Sequence, residues 1–222
     1  LAVEPSPRCL LNLAMVKSAF DFLFHKEETL KNKAAEIIPL FERIMSLYPF
    51  YAMAYFHAGI VHFRVGNHRE ALHTFIEALR MFRDDRSHID SWCLQNRDYN
   101  LFNSLIRSPL NANLVSLCIG QDENTVKNIR RLYQSVILYL IAILEEENRN
   151  IYKGLKACLE SYDLYPESGV IAWKAASLLA ILAFKEESLF LYKRAINLLP
   201  LSVDLRIGYI KLLYVYEKDD EL

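Results

Sequence analysis

Apolar residues recur every three or four positions along almost the whole chain. Leu11, Met15, Ala19 and Phe22 form one such row, Ile37, Phe41, Ile44 and Leu47 a second, and Val136, Leu140 and Ile143 another. A period near 3.6 residues with polar positions between is that of amphipathic helices, and β-branched alternation is scarce. The rows are punctuated by YPF at 48–50, GN at 66–67, YPES at 165–168 and LPLS at 199–202, each with turn or cap chemistry. Pro39 falls inside IIPLF, so the helix there is either kinked or begins near that residue. Six glycines and seven prolines among 222 residues are few, and helix is the default throughout.

The ends of the helical segments carry a second period. LFERIMSLYP finishes at Pro49, TFIEALRMFR at Arg83, CLESYDLYP at Pro166 and LYKRAINLLP at Pro200; the first two ends and the last two are each 34 residues apart. Two helices per 34 residues resembles the tetratricopeptide repeat. The unit at 52–83 resembles it most: Tyr55 stands at motif position 4, Ala58 and Gly59 at 7 and 8, Gly66 at the turn, and Ala71, Phe75 and Ala78 at 20, 24 and 27. Other units depart from it. Cys158 stands where an aromatic is expected, Ser188 replaces an alanine, and the last hairpin has no turn glycine.

Residues 173–217 are also similar to the half-a-TPR (HAT) variant, with Trp173, Glu186, the block Tyr192 to Ala195, Pro200 and Tyr209. That resemblance implies a nuclear RNA-metabolism scaffold, similar in kind to the terminal helical-repeat region of the CCCH-zinc-finger adaptor of the nuclear RNA exosome. The expected architecture is an all-α, TPR/HAT-like right-handed solenoid of antiparallel helical hairpins, a single helical-repeat domain over 1–222. Within it, 1–51 holds an N-terminal capping helix and a degenerate repeat, and 52–83 the best repeat. An irregular insertion or divergent repeat follows at 84–124, two further repeats at 125–200, and a final helix at 201–222. The apolar segment from Pro7 to Phe24 either caps the array or mediates self-association.

Repeat arrays hold partners on the concave face built from successive first helices. The repeat frame puts Met53, Phe56, His57, Ile60, Phe63 and Arg64 on that face in the best unit. It adds Val136, Tyr139, Leu140 and Ile143 from the next, and Val170, Trp173, Lys174, Ser177 and Ile181 from the third. This groove is apolar and aromatic, so its expected occupant is a protein segment or helix, with a homodimer as an alternative. The chaperone-cofactor type of tetratricopeptide groove uses a Lys/Asn/Arg clamp on a terminal carboxylate, but here Phe56 and Ile60 stand where clamp residues would be, which disfavours a heat-shock chaperone tail.

Composition narrows the function further. Lys+Arg of 26 against Asp+Glu of 27 gives a net charge of −1, without the global positive field that attracts nucleic acid. Arg80, Arg83 and Arg86 follow one another at threefold spacing and Lys127, Arg130 and Arg131 share a segment, but Asp84, Asp85 and Asp90 oppose the first row. Direct RNA binding is a rival reading, and a TPR adaptor or chaperone outside RNA metabolism is another. The longest clean apolar run, 136–144, is too short to span a bilayer, and the start has no signal-peptide pattern. Leu1 suggests part of a longer protein, and the HAT-like resemblance implies an intracellular setting, nuclear rather than cytoplasmic.

Four of six histidines, His57, His62, His68 and His73, crowd into 17 residues. Their five-residue spacings miss the i, i+4 register that stacks two ligands, so no metal is expected. Ser87, His88 and Asp90 are neighbours in sequence, whereas triads assemble across a fold. No phosphate-binding glycine loop occurs. No catalytic residue, metal or cofactor is expected, and the cysteines at 9, 93, 118 and 158 read as reduced, partly buried thiols.

Overall fold

The computed structural model describes residues 6, 7, 9–14, 27–89 and 123–219. These divide into two compact units, Leu1–Asp90 and Ser91–Leu222. The first contains α1 (Glu27–Leu47), α2 (Ala52–Arg64) and α3 (His68–Arg83), with residues 9–14 also helical. The second contains α4 (Glu123–Glu147), α5 (Ile151–Leu164), α6 (Gly169–Ile181), α7 (Lys185–Leu198) and α8 (Val203–Asp219). Met15, Ala19, Phe22, the rest of the segment to Phe24, and nearly all of the expected insertion lie outside the described residues.

Within each unit a helix packs chiefly on its neighbours in sequence, which is how a repeat array builds its core. Pro39 neither starts nor ends α1, which runs through it. The residue is exposed, so the carbonyl that loses its N–H partner faces solvent, while Ala34, Ile37, Phe41 and Ile44 bury the opposite stripe. The serine of YPES caps α6: Ser168 accepts a hydrogen bond from the Ile171 N–H at 3.4 Å.

The α2–α3, α4–α5 and α6–α7 turns share one conformation. Gly66, Arg149 and Ala183 have φ of 78°, 63° and 60°, all left-handed. Glycine adopts that region freely, whereas a Cβ makes it costly. The missing turn glycine therefore leaves the hairpin geometry intact and stores strain at Ala183. Ala183→Gly is expected to stabilise the protein by about 0.5–1 kcal/mol, net of the extra unfolded-state entropy of glycine. Chemical denaturation checks this, and an unchanged or lower midpoint would contradict it.

Small residues let paired helices approach. A Cβ on Gly59 would lie 2.6 Å from two Phe75 ring carbons, and one on Gly154 would lie 3.1 Å from the Ala142 carbonyl oxygen. Where the third hairpin has serine in place of alanine, the buried Ser188 Oγ donates across to the Ala176 carbonyl at 2.9 Å. In the second hairpin the Ser135 and Ser161 hydroxyls each donate to the other's carbonyl, at 2.9 and 2.7 Å. The departures from the repeat pattern are thus satisfied contacts, as buried polar groups must be.

Candidate protein-interaction surfaces

In the first unit the expected groove stripe lies almost wholly inside. Met53, Phe56, His57 and Ile60 are buried, Phe63 is half-buried, and only Arg64 is exposed. Phe41 of α1 stacks on the His57 ring with centroids 6.4 Å apart, and Phe56 meets it edge-on at 5.1 Å. His57 is therefore packed among aromatic rings, where a partner segment would have to displace them.

The second unit presents more of its stripe. Val136, Tyr139, Leu140 and Val170 are buried, but Ile143, Trp173, Lys174 and Ser177 are half-buried and Ile181 is exposed. Lys174 forms an ion pair with Glu146, joining α6 to α4 across successive hairpins. The Ser177 Oγ donates to the Trp173 carbonyl at 3.0 Å and shares a hydrogen bond with the Tyr192 hydroxyl at 3.2 Å. Trp173 is thus half-buried on the same helix as Lys174, whose charge is paired.

The remaining histidines serve separate local contacts. His68 stacks on Phe63 at 6.3 Å, His73 is exposed, and burial pushes the His62 imidazole below its usual range against the opposing pull of Glu70 and Glu42. Among the described residues no three His, Cys, Asp or Glu side chains gather as a metal site would require. His88 closes a structural latch: its N–H donates to the Phe50 carbonyl at 2.8 Å, its carbonyl accepts from the Ala52 N–H at 3.3 Å, and its ring stacks on Tyr51. Ser87 is buried with its Oγ 3.9 Å from the Met81 sulfur, while Asp90 lies outside the described residues. Two members of the basic row are paired, Arg80 with Glu77 at 3.0 Å and Arg86 with Asp84 at 2.7 Å, which lowers the positive potential the row could offer.

The cysteines differ in exposure: Cys9 is exposed and Cys158 is buried, while Cys93 and Cys118 lie outside the described residues. Burial pushes the Cys158 thiol up to about 12, with Lys174 pulling it down and Glu146 pushing it further up. In a variant with Cys93 and Cys118 replaced by serine, iodoacetamide at pH 8 is expected to label Cys9 and spare Cys158 until denaturant is added. Labelling of both in the native protein, read by mass spectrometry, would refute this. The folded thiol stays protonated longer than the unfolded one, so its contribution to stability is whole below about pH 9 and is lost as the pH rises toward 12.

One surface has no counterpart in the sequence-based groove. The outer side of α8 exposes Val203, Ile207, Ile210 and Tyr214, each close to or more than half accessible to solvent, with Leu201 and Val215 beside them. A second apolar row on the same helix could have disclosed it, because 203, 207, 210 and 214 repeat at helical spacing just as 205, 209, 212 and 216 do. Among the described residues no helix is long and apolar enough to cross a membrane.

Residues 10–108, fewer than half of the chain, match the family described as Anaphase-promoting complex subunit 5. No curated protein sequence matches the chain. Among solved structures, the C-terminal TPR-containing domain of a Plasmodium falciparum protein described as FK506-binding shares 13% identity, covers 77% of this chain and 91% of its own, and superposes with a TM-score of 0.56. A thermophilic TPR protein of Thermus thermophilus shares 14% identity over 94% of this chain and 100% of its own, at a TM-score of 0.37. The TPR2AB domain of yeast Sti1, in its complex with pHSP90, shares 10% over 92% of this chain and 91% of its own, at 0.33. The first of these superpositions, together with the hairpins and their shared turns, identifies the fold: the chain has the all-α helical-repeat fold of tetratricopeptide-repeat proteins.

Proposed function

We propose that the chain is a non-catalytic protein-interaction scaffold of a larger assembly, binding a partner segment at the half-open patch of Ile143, Trp173, Lys174 and Ser177. The observation that supports this most is that Trp173 is only half-buried on a face whose equivalent in the first unit, around Phe56 and His57, is buried. A large aromatic at the edge of a partly open patch is a common anchor for a protein partner. The nuclear RNA-processing setting rests on the HAT-like segment 173–217 alone. The match over 10–108 favours another multi-subunit setting, that of an anaphase-promoting complex subunit 5.

The test is affinity capture from cells with the wild-type chain and with Trp173→Ala/Lys174→Glu. The double variant is expected to lose its specific partners by about 10-fold or more, since hot-spot aromatics contribute upward of about 2 kcal/mol, while its helical circular dichroism is retained. Equal recovery by a folded variant would refute the patch. Recovery of anaphase-promoting complex subunits would support that setting, and recovery of RNA-processing factors instead would reject it.

A further inference from the structure

We propose that the outer face of α7 is a self-association surface, on which a second copy of the chain lays its own α7 antiparallel about a two-fold axis. It uses none of the residues of the Trp173 patch, so the two readings can fail separately.

α7 has its neighbours in the chain on either side and packs on both α6 and α8. Ser188, Leu191, Tyr192 and Ala195 form its buried side. At about 100° per residue, Glu186, Glu187, Lys193 and Arg194 fall on the opposite side, within about 60° of Phe190; all five are exposed, Phe190 at 68%. That side faces outward in each of the three hairpins. Seven residues after the left-handed turn residues Gly66, Arg149 and Ala183 stand His73, Lys156 and Phe190, and all three are exposed. Lys156 is open although the complete hairpin α6–α7 follows α5, so this position is not one that the next hairpin covers. Where α3 and α5 put a polar residue there, α7 puts a large aromatic one.

The charges around Phe190 specify a copy of the same helix as the cover. The stretch EESLFLYKR, 186–194, has two acids at one end and two bases at the other, equidistant from Phe190. An antiparallel copy crossing at Phe190 sets ring against ring. Glu187 and Arg194 flank one edge of the outer side one heptad apart, and Glu186 and Lys193 flank the other edge at the same interval. Reversal of the second helix therefore brings Glu187 of each copy near Arg194 of the other, and Glu186 near Lys193. All four contacts join opposite charges, whereas a parallel copy would set acid on acid and base on base. The helix dipole accounts for the acids in the first turn, but Lys193 and Arg194 precede the last turn, and the dipole makes no demand on position 190. The geometry is isologous, as a closed dimer requires.

Sedimentation velocity of the whole chain over a dilution series tests this, at low ionic strength where the charges are least screened. A monomer–dimer equilibrium is expected, and Phe190→Asp, which changes an exposed residue and should leave the fold intact, should weaken it by about 10-fold or more. Glu186→Lys/Glu187→Lys and Lys193→Glu/Arg194→Glu should each be monomeric alone, because all four contacts become like-charged. An equimolar mixture of those two variants should dimerise, a complementation that neither a damaged fold nor a contact elsewhere would show. A wild-type chain that stays monomeric at every concentration would overturn the proposal and leave the face for a different protein. A dimer indifferent to Phe190→Asp, or a mixture that stays monomeric, would overturn it equally.

Discussion

Phe75→Ala is expected to lower stability by about 3–5 kcal/mol, the usual range for truncating a fully buried aromatic. Phe75 has no solvent exposure, lies against the α2 backbone at Gly59, and packs on the Phe63 ring at 6.4 Å. Removing the ring leaves a cavity between α2 and α3 that cannot close freely, because the α2–α3 turn and the His88 latch fix both ends of the hairpin. A loss of this size is a large part of the roughly 5–15 kcal/mol that typically separates folded from unfolded domains. Urea denaturation followed by far-ultraviolet circular dichroism measures it, and a loss below about 1 kcal/mol would mean that the α2–α3 contact is not as close as described.

Gly59→Ala gives the second large effect and has an unusual sign structure. In an open helix the substitution would gain about 1 kcal/mol of helix propensity. Here the new methyl would lie 2.6 Å from two ring carbons of Phe75, a contact that forces the ring or the helices apart. Overpacking of this kind costs about 1–3 kcal/mol, so the net effect is destabilising. In the Phe75→Ala background the obstacle is gone and the same substitution should become stabilising. The double-mutant cycle therefore predicts a coupling of about 1–3 kcal/mol between the two positions, and additive effects would contradict the contact.

This pair shows why the hairpins were legible in the sequence. Gly59, Ala71, Phe75 and Ala78 stand at fixed spacing because helix periodicity converts spacing into facing, and only small residues allow two backbones to approach as α2 and α3 do. Sequence reasoning took Ser188, Cys158 and the missing turn glycine as departures from the pattern. In the fold Ser188 donates a hydrogen bond to Ala176, Cys158 is fully buried, and Ala183 adopts the left-handed turn that glycine would have taken. Consensus matching weighs residue types, whereas packing requires only volume, satisfied polar atoms and an attainable φ.

The candidate site was legible in part. The repeat frame put Trp173, Lys174 and Ser177 on one face; all three are half-buried on α6, with the Lys174–Glu146 pair as an additional tie that no local pattern discloses. Met53, Phe56, His57 and Ile60 were placed by the same frame on an open groove and are buried. Their cover includes Phe41, which belongs to an earlier helix and has no fixed spacing to His57. The exposed apolar row of α8 was overlooked for the converse reason: its residues are apolar and helically spaced, which in a sequence is the mark of a core.

Local periodicity was enough to indicate the helices, their hairpin pairing, the 34-residue repeat and so the fold, because each depends on contacts between residues a few turns apart. Which apolar stripes are covered and which stay exposed depended on the three-dimensional packing. An apolar row reads alike whether or not another helix lies on it, and that helix is placed by distant residues: by α1 over His57, and by no described helix over Ile207 and Ile210.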